Sequence, residues 1–400
     1  MHFSRYVSLC FITTSSLLLT TTAKADQVLL PKPDGAFEVG LSTMELIDKS
    51  RLQLFAPSVQ QRHFMVSLFY PIHSRKSTTP ANYMPPETAA FEDGSELSTT
   101  GSAGLVSPNG TFERLALQVA GKSPQTQGTL DFPIVLFSPG EATTRLFYSV
   151  IAQTIASSGY IVITMDAPHD VDIVEYPDGS VDLINTTVTN AATIADADLA
   201  VSVRAQDASF VLDQLCNNAS VVSQLIPGSS HGLDVRNVAM FGHSLGGAAT
   251  AAAMLNDSRI AGGIAMDGTL YGPVVQEGLD RPFMLMAHTN HTRVAGNGTG
   301  DADSSWFNFW ANLRGFKLDI MLANSLHYTF SDVPIVLETL GIVPNATIAT
   351  NLQVTDLNGS RALQIVTTYV TAFLDKVLKY KTSPLLQGPV AAFPEVTFER

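Results

Sequence analysis

Cysteine is nearly missing from this 400-residue chain, which has only Cys10 and Cys216. Cys10 falls in an N-terminal stretch expected to be removed, so no intramolecular disulfide can form. Stability must then come from a buried core, which a chain this long can supply. Cys216 follows the helical pattern Phe210-Val211-Leu212-x-x-Leu215 and is expected as a buried apolar filler. Basic residues are also few, 23 Lys and Arg against 36 Asp and Glu, for a formal charge of −13. That balance argues against nucleic acid or an anionic membrane surface as partner. There is no HExxH, no cysteine pair and no carboxylate cluster at ligand spacing, so no metal and no cofactor is implied. His169-Asp170 reads as a polar loop rather than a ligand pair. No apolar run beyond residue 25 reaches the length of a membrane span.

The N-terminal stretch itself has the pattern of a secretory signal. Residues 1–25 carry Arg5, an apolar run from Val7 to Leu19 and an Ala23-Lys24-Ala25 cleavage site. Losing Arg5 and Lys24 with it, and no acids, takes the formal charge from −13 to −15. Eight N-x-S/T sequons, at Asn109, Asn185, Asn218, Asn256, Asn290, Asn297, Asn345 and Asn358, fit passage through a secretory pathway. The expectation is a secreted, extracellular glycoprotein.

With no internal repeat and no clean linker, residues 26–400 read as one domain. Residues 26–131 form lead-in strands and loops, with Phe64 to Tyr70 a strand ended by Pro71. Residues 132–380 form the core, and 381–400 a tail. Within the core, apolar strands alternate with helices. Phe132–Phe137, Tyr160–Met165, Val238–Phe241, Ile260–Met266, Pro282–Ala287 and Lys317–Leu322 are the strands. Phe147–Ser157, Ala195–Asn217 and Gly359–Tyr380 are helices. Continuous apolar strands separated by helices imply a mostly parallel sheet covered on both faces. Active residues in such sheets gather beyond the strand C-terminal ends.

One strand end stands out. Gly242-His243-Ser244-Leu245-Gly246 joins the apolar run Val238–Phe241 directly to a helix-forming stretch from Ala248. A serine on so tight a turn has its hydroxyl lifted clear of the sheet, with the N-terminus of the next helix aimed at it. This is the nucleophile elbow of an α/β-hydrolase fold, and Ser244 is the expected nucleophile. A serine needs a histidine to take its proton and an acid to hold that histidine, in the chain order Ser, Asp or Glu, His. His327, just past the strand Lys317–Leu322, fits the base. His243 belongs to the turn itself, and His288 and His291 come early. For the acid, Asp267 ends the strand Ile260–Met266, while Asp301 and Asp303 lie one strand later in a glycine-rich run. The oxyanion donors are expected to be two backbone amides, that of Leu245 and one from the loop Ser138-Pro139-Gly140-Glu141-Ala142. Trp306, Phe307, Phe309 and Trp310 read as a buried amphipathic helix, with a lipid-facing patch the alternative.

Phe137-Ser138-Pro139-Gly140, Arg145 to Ser149, Gly242-His243-Ser244-Leu245-Gly246-Gly247-Ala248, Ile264-Ala265-Met266-Asp267 and Ser325-Leu326-His327-Tyr328-Thr329-Phe330 resemble the plasma-type platelet-activating-factor acetylhydrolase family. The likeness runs from about Phe37 to Phe373. It implies a secreted, calcium-independent α/β-hydrolase that removes short or oxidised acyl groups from phospholipids, with peripheral lipid contact. It also puts the acid on Asp267, the base on His327 and the second oxyanion amide on Glu141. Two positions depart from the family pattern. Glu141 places a carboxylate where the family has leucine, and Gly268-Thr269 replaces a bulky aromatic after Asp267. Two other readings stand beside this one. The first is a general carboxylesterase, lipase or polyester hydrolase, and the second a catalytically inactive hydrolase fold used for binding.

Overall fold

The computed structural model describes residues 26–73, 78–94, 110–120, 131–186, 193–294 and 302–399. The expected leader, the sequons at Asn109 and Asn297, and Asp301 lie outside them. A nine-stranded sheet organises the chain. Its strands in chain order are β1 (Glu38–Leu52), β2 (Gln61–Ile72), β3 (Ile134–Ser138), β4 (Ile161–Met165), β5 (Val238–His243), β6 (Ile260–Met266), β7 (Phe283–His288), β8 (Lys317–Leu322) and β9 (Val396–Phe398). The spatial order is β9-β8-β7-β6-β5-β3-β4-β2-β1. The six central strands, β4 to β8 through β3, pair in parallel. β2, β1 and β9 pair antiparallel at the two edges.

β3, β4, β5 and β6 are buried on both faces, which is why these stretches read as nearly continuous apolar runs. Side chains alternate between two cores. Val135, Phe137, Ala239, Phe241, Ile264 and Met266 point to one, against helices α1 (Ser149–Ser157) and α5 (Gly359–Leu378). Leu136, Met240 and Ala265 point to the other, against α2 (Ile194–Asn217), α3 (Leu245–Asn256) and α4 (Ser304–Asn312). α4 buries Trp306 and Phe309 in that second core and leaves Phe307 55% exposed, the amphipathic helix expected. Among the described residues, no helix is long and apolar enough to cross a membrane.

Four expectations need correction. β2 passes through Pro71 to Ile72 rather than stopping before it. Beyond Phe69 it has lost its pairing with β4, so the N–H that proline lacks is not needed there. The fifteen-residue β1 was not foreseen, because its mixed burial hides the alternation of a single half-covered edge strand. The C-terminal tail returns as β9 alongside β8. Cys216 is exposed, since Val211, Leu212 and Leu215 take the buried side of α2 and the next position turns outward.

Candidate active site

β5 runs straight into the turn that carries Ser244. Its backbone stands at φ 53° and ψ −125°, a region that non-glycine residues rarely occupy and that the packing around it must hold. The Ser244 N–H is bonded to the carbonyl of Met266 on β6 (2.8 Å), so the strained residue is tied to the sheet. Gly246 has no side chain for a packing reason: a Cβ there would overlap the carbonyl of Ser138. α3 can therefore press its N-terminus under the loop after β3. Gly268 answers a similar demand, because a Cβ would collide with the backbone of Ser244. A bulkier residue cannot stand at Gly268 in this geometry.

Asp267 follows β6 and is only 2% exposed. Its N–H bonds the carbonyl of Met286 on β7 (2.8 Å), which extends sheet pairing to the acid itself. Its Oδ2 lies 2.6 Å from Nδ1 of His327, in the loop after β8. Burial alone would push this carboxyl up, yet hydrogen bonds from His288, His291 and His327 hold it well below the usual carboxylate range. Asp303, the rival acid one strand later, makes no contact with His327. It caps α4 through the N–H groups of Ser305 and Trp306.

His288 and His291 were set aside in the sequence because they come too early for the base, but both converge on Asp267. His288 Nδ1 is 2.6 Å from Oδ1 and His291 Nδ1 is 2.8 Å from it. The signal was present in outline: His288 ends a strand in register with the one that Asp267 ends, and His291 lies one turn further on. These two rings and Asp267 bring three possible ligand atoms together, as do His243, Asp267 and His327. In the first group each contacting nitrogen already faces a carboxylate oxygen at hydrogen-bond distance.

His243 is a linking residue. It is fully buried, and burial pushes its ring well below the ordinary histidine range, so it is neutral. Its Nε2 lies 2.9 Å from the carbonyl of His327, an acceptor, and therefore carries the proton. Nδ1 must then accept from the Tyr148 hydroxyl (2.8 Å), whose oxygen accepts from the N–H of Gly140 (3.2 Å). One chain of hydrogen bonds thus ties the loop after β3 to the backbone of His327. Tyr148→Phe leaves two buried groups without a partner, and is expected to lower both the melting temperature and kcat, the latter about tenfold. Thermal melts and turnover of p-nitrophenyl acetate check this. Unchanged kcat in a folded variant would show that the link carries nothing.

That loop is also held from below. The buried Arg204 makes a two-pronged pair with Asp170 (2.8 and 2.6 Å) and donates to the carbonyls of Pro139 and Gly140 and to the Ser138 hydroxyl. No local motif marks Arg204 for this task. Gly140 N–H is spent on Tyr148, and Ala142 N–H on the carbonyl of Asp170. Glu141 lies between them, its carboxyl pushed up by partial desolvation and by Asp170 and held back in part by Arg204. Beside it a cavity of about 150 Å³ opens, lined by Glu141, Asp170, Tyr271, Phe55, Ile194 and Leu245. Of the described sequons, Asn256, Asn290, Asn345 and Asn358 are exposed. Asn185 and Asn218 are half-buried, and their amide groups donate to the Phe55 carbonyl and to Gln214.

A serine elbow at the C-terminal edge of a mostly parallel sheet, with a His–Asp pair on the following strand ends, defines an α/β-hydrolase. The chain belongs to the platelet-activating factor acetylhydrolase, isoform II, family, whose model matches residues 22–177 and 218–384, and it is a carboxylic ester hydrolase. It is 34% identical to the "probable 1-alkyl-2-acetylglycerophosphocholine esterase" of Arthroderma benhamiae over 394 residues, covering 92% of this chain and 93% of that one. A solved ferulic acid esterase from Streptomyces cinnamoneus is 29% identical with a TM-score of 0.76, covering 94% of this chain and all of that one.

Proposed function

We propose that Ser244 attacks the ester carbonyl, His327 takes its proton and returns it to the leaving alkoxide, and Asp267 fixes the ring of His327. The observation that carries this reading is the 2.6 Å contact between His327 Nδ1 and Asp267, on the same edge of the sheet as the turn after β5 that carries Ser244. With Nδ1–H given to the carboxylate, Nε2 is the free base. The tetrahedral oxyanion is bound by the amides of Leu245 and Glu141. Support for Glu141 is that the amides on either side of it are committed elsewhere. Water then releases the acyl group through the same histidine. Residues 26–400 act as one catalytic unit after a secretory leader, for which the pattern of residues 1–25 and the sequons speak.

The substrate is a short-acyl ester of a glycerophospholipid. A cavity of about 150 Å³ beside Leu245 suits an acyl group of a few carbons, and the fungal relative carries a matching activity in its name. Turnover is expected to fall steeply from acetyl to octanoyl p-nitrophenyl esters, and acetyl esters are expected to be cleaved with a phosphocholine headgroup present. Preference for a long acyl chain, or for methyl ferulate over acetyl esters, would overturn the substrate class. Glu141 bears on the headgroup, because its side chain lines the cavity next to the amide given to the oxyanion. Glu141→Leu is expected to raise the ratio of phosphocholine-ester to neutral-ester turnover. An unchanged ratio would mean that the side chain points away from the headgroup.

A further inference from the structure

Asp267 is held by more donors than orienting one histidine requires. Oδ2 faces Nδ1 of His327 at 2.6 Å. Oδ1 faces the N–H of His288 (3.0 Å), Nδ1 of His288 (2.6 Å) and Nδ1 of His291 (2.8 Å). The His291 ring continues onward, with Nε2 3.1 Å from Oδ2 of Asp303, and lies stacked 4.3 Å from the ring of the buried Trp306. Asp303 accepts from Thr269, from Ser305 and from two backbone N–H groups at the start of α4, so it is ionised. A carboxylate accepts and cannot donate. Both nitrogens of His291 therefore carry hydrogen, which makes the ring an imidazolium on geometry alone.

We propose that His291 is a positioning residue of the active site, a fixed imidazolium that clamps Asp267 to the start of α4. This rests on the roles given above to Asp267 and His327. The clamp supplies the counter-charge that a buried carboxylate needs, and it locks the acid's rotation from the side opposite His327. Other charged or titratable groups near His291 are His288 on β7, Asp303, and Asp319 on β8 with its partner Arg293. Burial alone would lower His291, but its bonds to Asp267 and Asp303 push it up to about 9, and Asp303 is lowered to about 2. Since the folded value lies above the ordinary 6.5, the stabilisation is full below about 6.5 and lost as pH rises through about 9.

Two variants test this. His291→Gln removes the cation and leaves Asp303 without its counter-charge. Asp303→Asn keeps the helix cap on its Oδ1, but its amide nitrogen takes the place of Oδ2, so His291 turns neutral while its Nδ1–H stays on Asp267. The kcat for p-nitrophenyl acetate is expected to fall about tenfold in His291→Gln and by less in Asp303→Asn. In both, KM should change little. Independently of activity, nitrogen NMR of the wild-type enzyme at pH 7 should find both ring nitrogens of His291 protonated, and only one in Asp303→Asn. A singly protonated His291 in the wild type, or an unchanged kcat in both folded variants, overturns the proposal. His327→Ala separates the two levels. If it keeps wild-type turnover, the roles of Asp267 and His327 fall and the clamp with them. If it is inactive while His291→Gln leaves kcat unchanged, only the clamp falls.

Discussion

Ser244→Ala is expected to abolish turnover of p-nitrophenyl acetate and labelling by a fluorophosphonate probe, while the protein melts within a few degrees of wild type. The serine side chain is half-buried at the top of the elbow and fills no part of either core, so its hydroxyl can go without leaving a cavity. Removing a triad nucleophile leaves only the binding and oxyanion contributions, a loss of about 10³-fold or more. The backbone gives a second test. At φ 53° and ψ −125°, Ser244 holds a conformation that costs about 1–3 kcal/mol for a residue with a Cβ. Ser244→Gly should therefore be inactive and yet melt no lower than Ser244→Ala, as glycine adopts that conformation without strain. Wild-type turnover in either variant would remove the nucleophile and the whole scheme with it.

Asp267→Asn is expected to lower kcat by about 10³ to 10⁴-fold in a protein that still folds. An asparagine offers one accepting oxygen where the carboxylate offers two, and its amide group donates. Three histidine nitrogens and one backbone N–H now converge on the carboxylate. Whichever way the amide is turned, at least one ring faces a donor and must present a lone pair. If that ring is His327, its proton moves to Nε2 and the base is lost. A stability cost accompanies the kinetic one. Because the folded carboxyl lies below the ordinary 3.8, its contribution is full above that pH and fades as the pH falls below it. The gap in melting temperature between wild type and Asp267→Asn should thus narrow on acidification. Asp303→Asn, by contrast, should keep most of its turnover near the pH optimum. The reverse pattern, with Asp303→Asn inactive and Asp267→Asn near normal, would move the acid one strand later.

Most of the proposed site was legible because each part of it is marked locally. The run Val238 to Phe241, the glycines flanking Ser244 and the small residues after it specify strand, turn and helix within fourteen positions. Ile260–Met266 and Lys317–Leu322 emerge in the structure with the bounds that their apolar pattern suggests. The residues beyond them, Asp267 and His327, lie at the C-terminal edge of the sheet, where side chains from neighbouring strand ends can meet. Strand ends are therefore readable as sites before any contact is known.

What the sequence left open depends on which strands become neighbours and in what register. His288 reaches Asp267 because β6 and β7 align Met266 with Met286, twenty residues apart, and nothing local announces that pairing. Arg204 lies 64 residues from the Gly140 carbonyl it supports, and Tyr148 lies 95 from His243. The return of residues 396–398 to β8, and the outward turn of Cys216, were settled by packing against elements distant in the chain. A chain's own periodicity determines its strands, its helices and the turn that carries Ser244. The network that positions Asp267 and the loop around Glu141 is a property of tertiary register, since its donors and acceptors come within reach only when the sheet has closed.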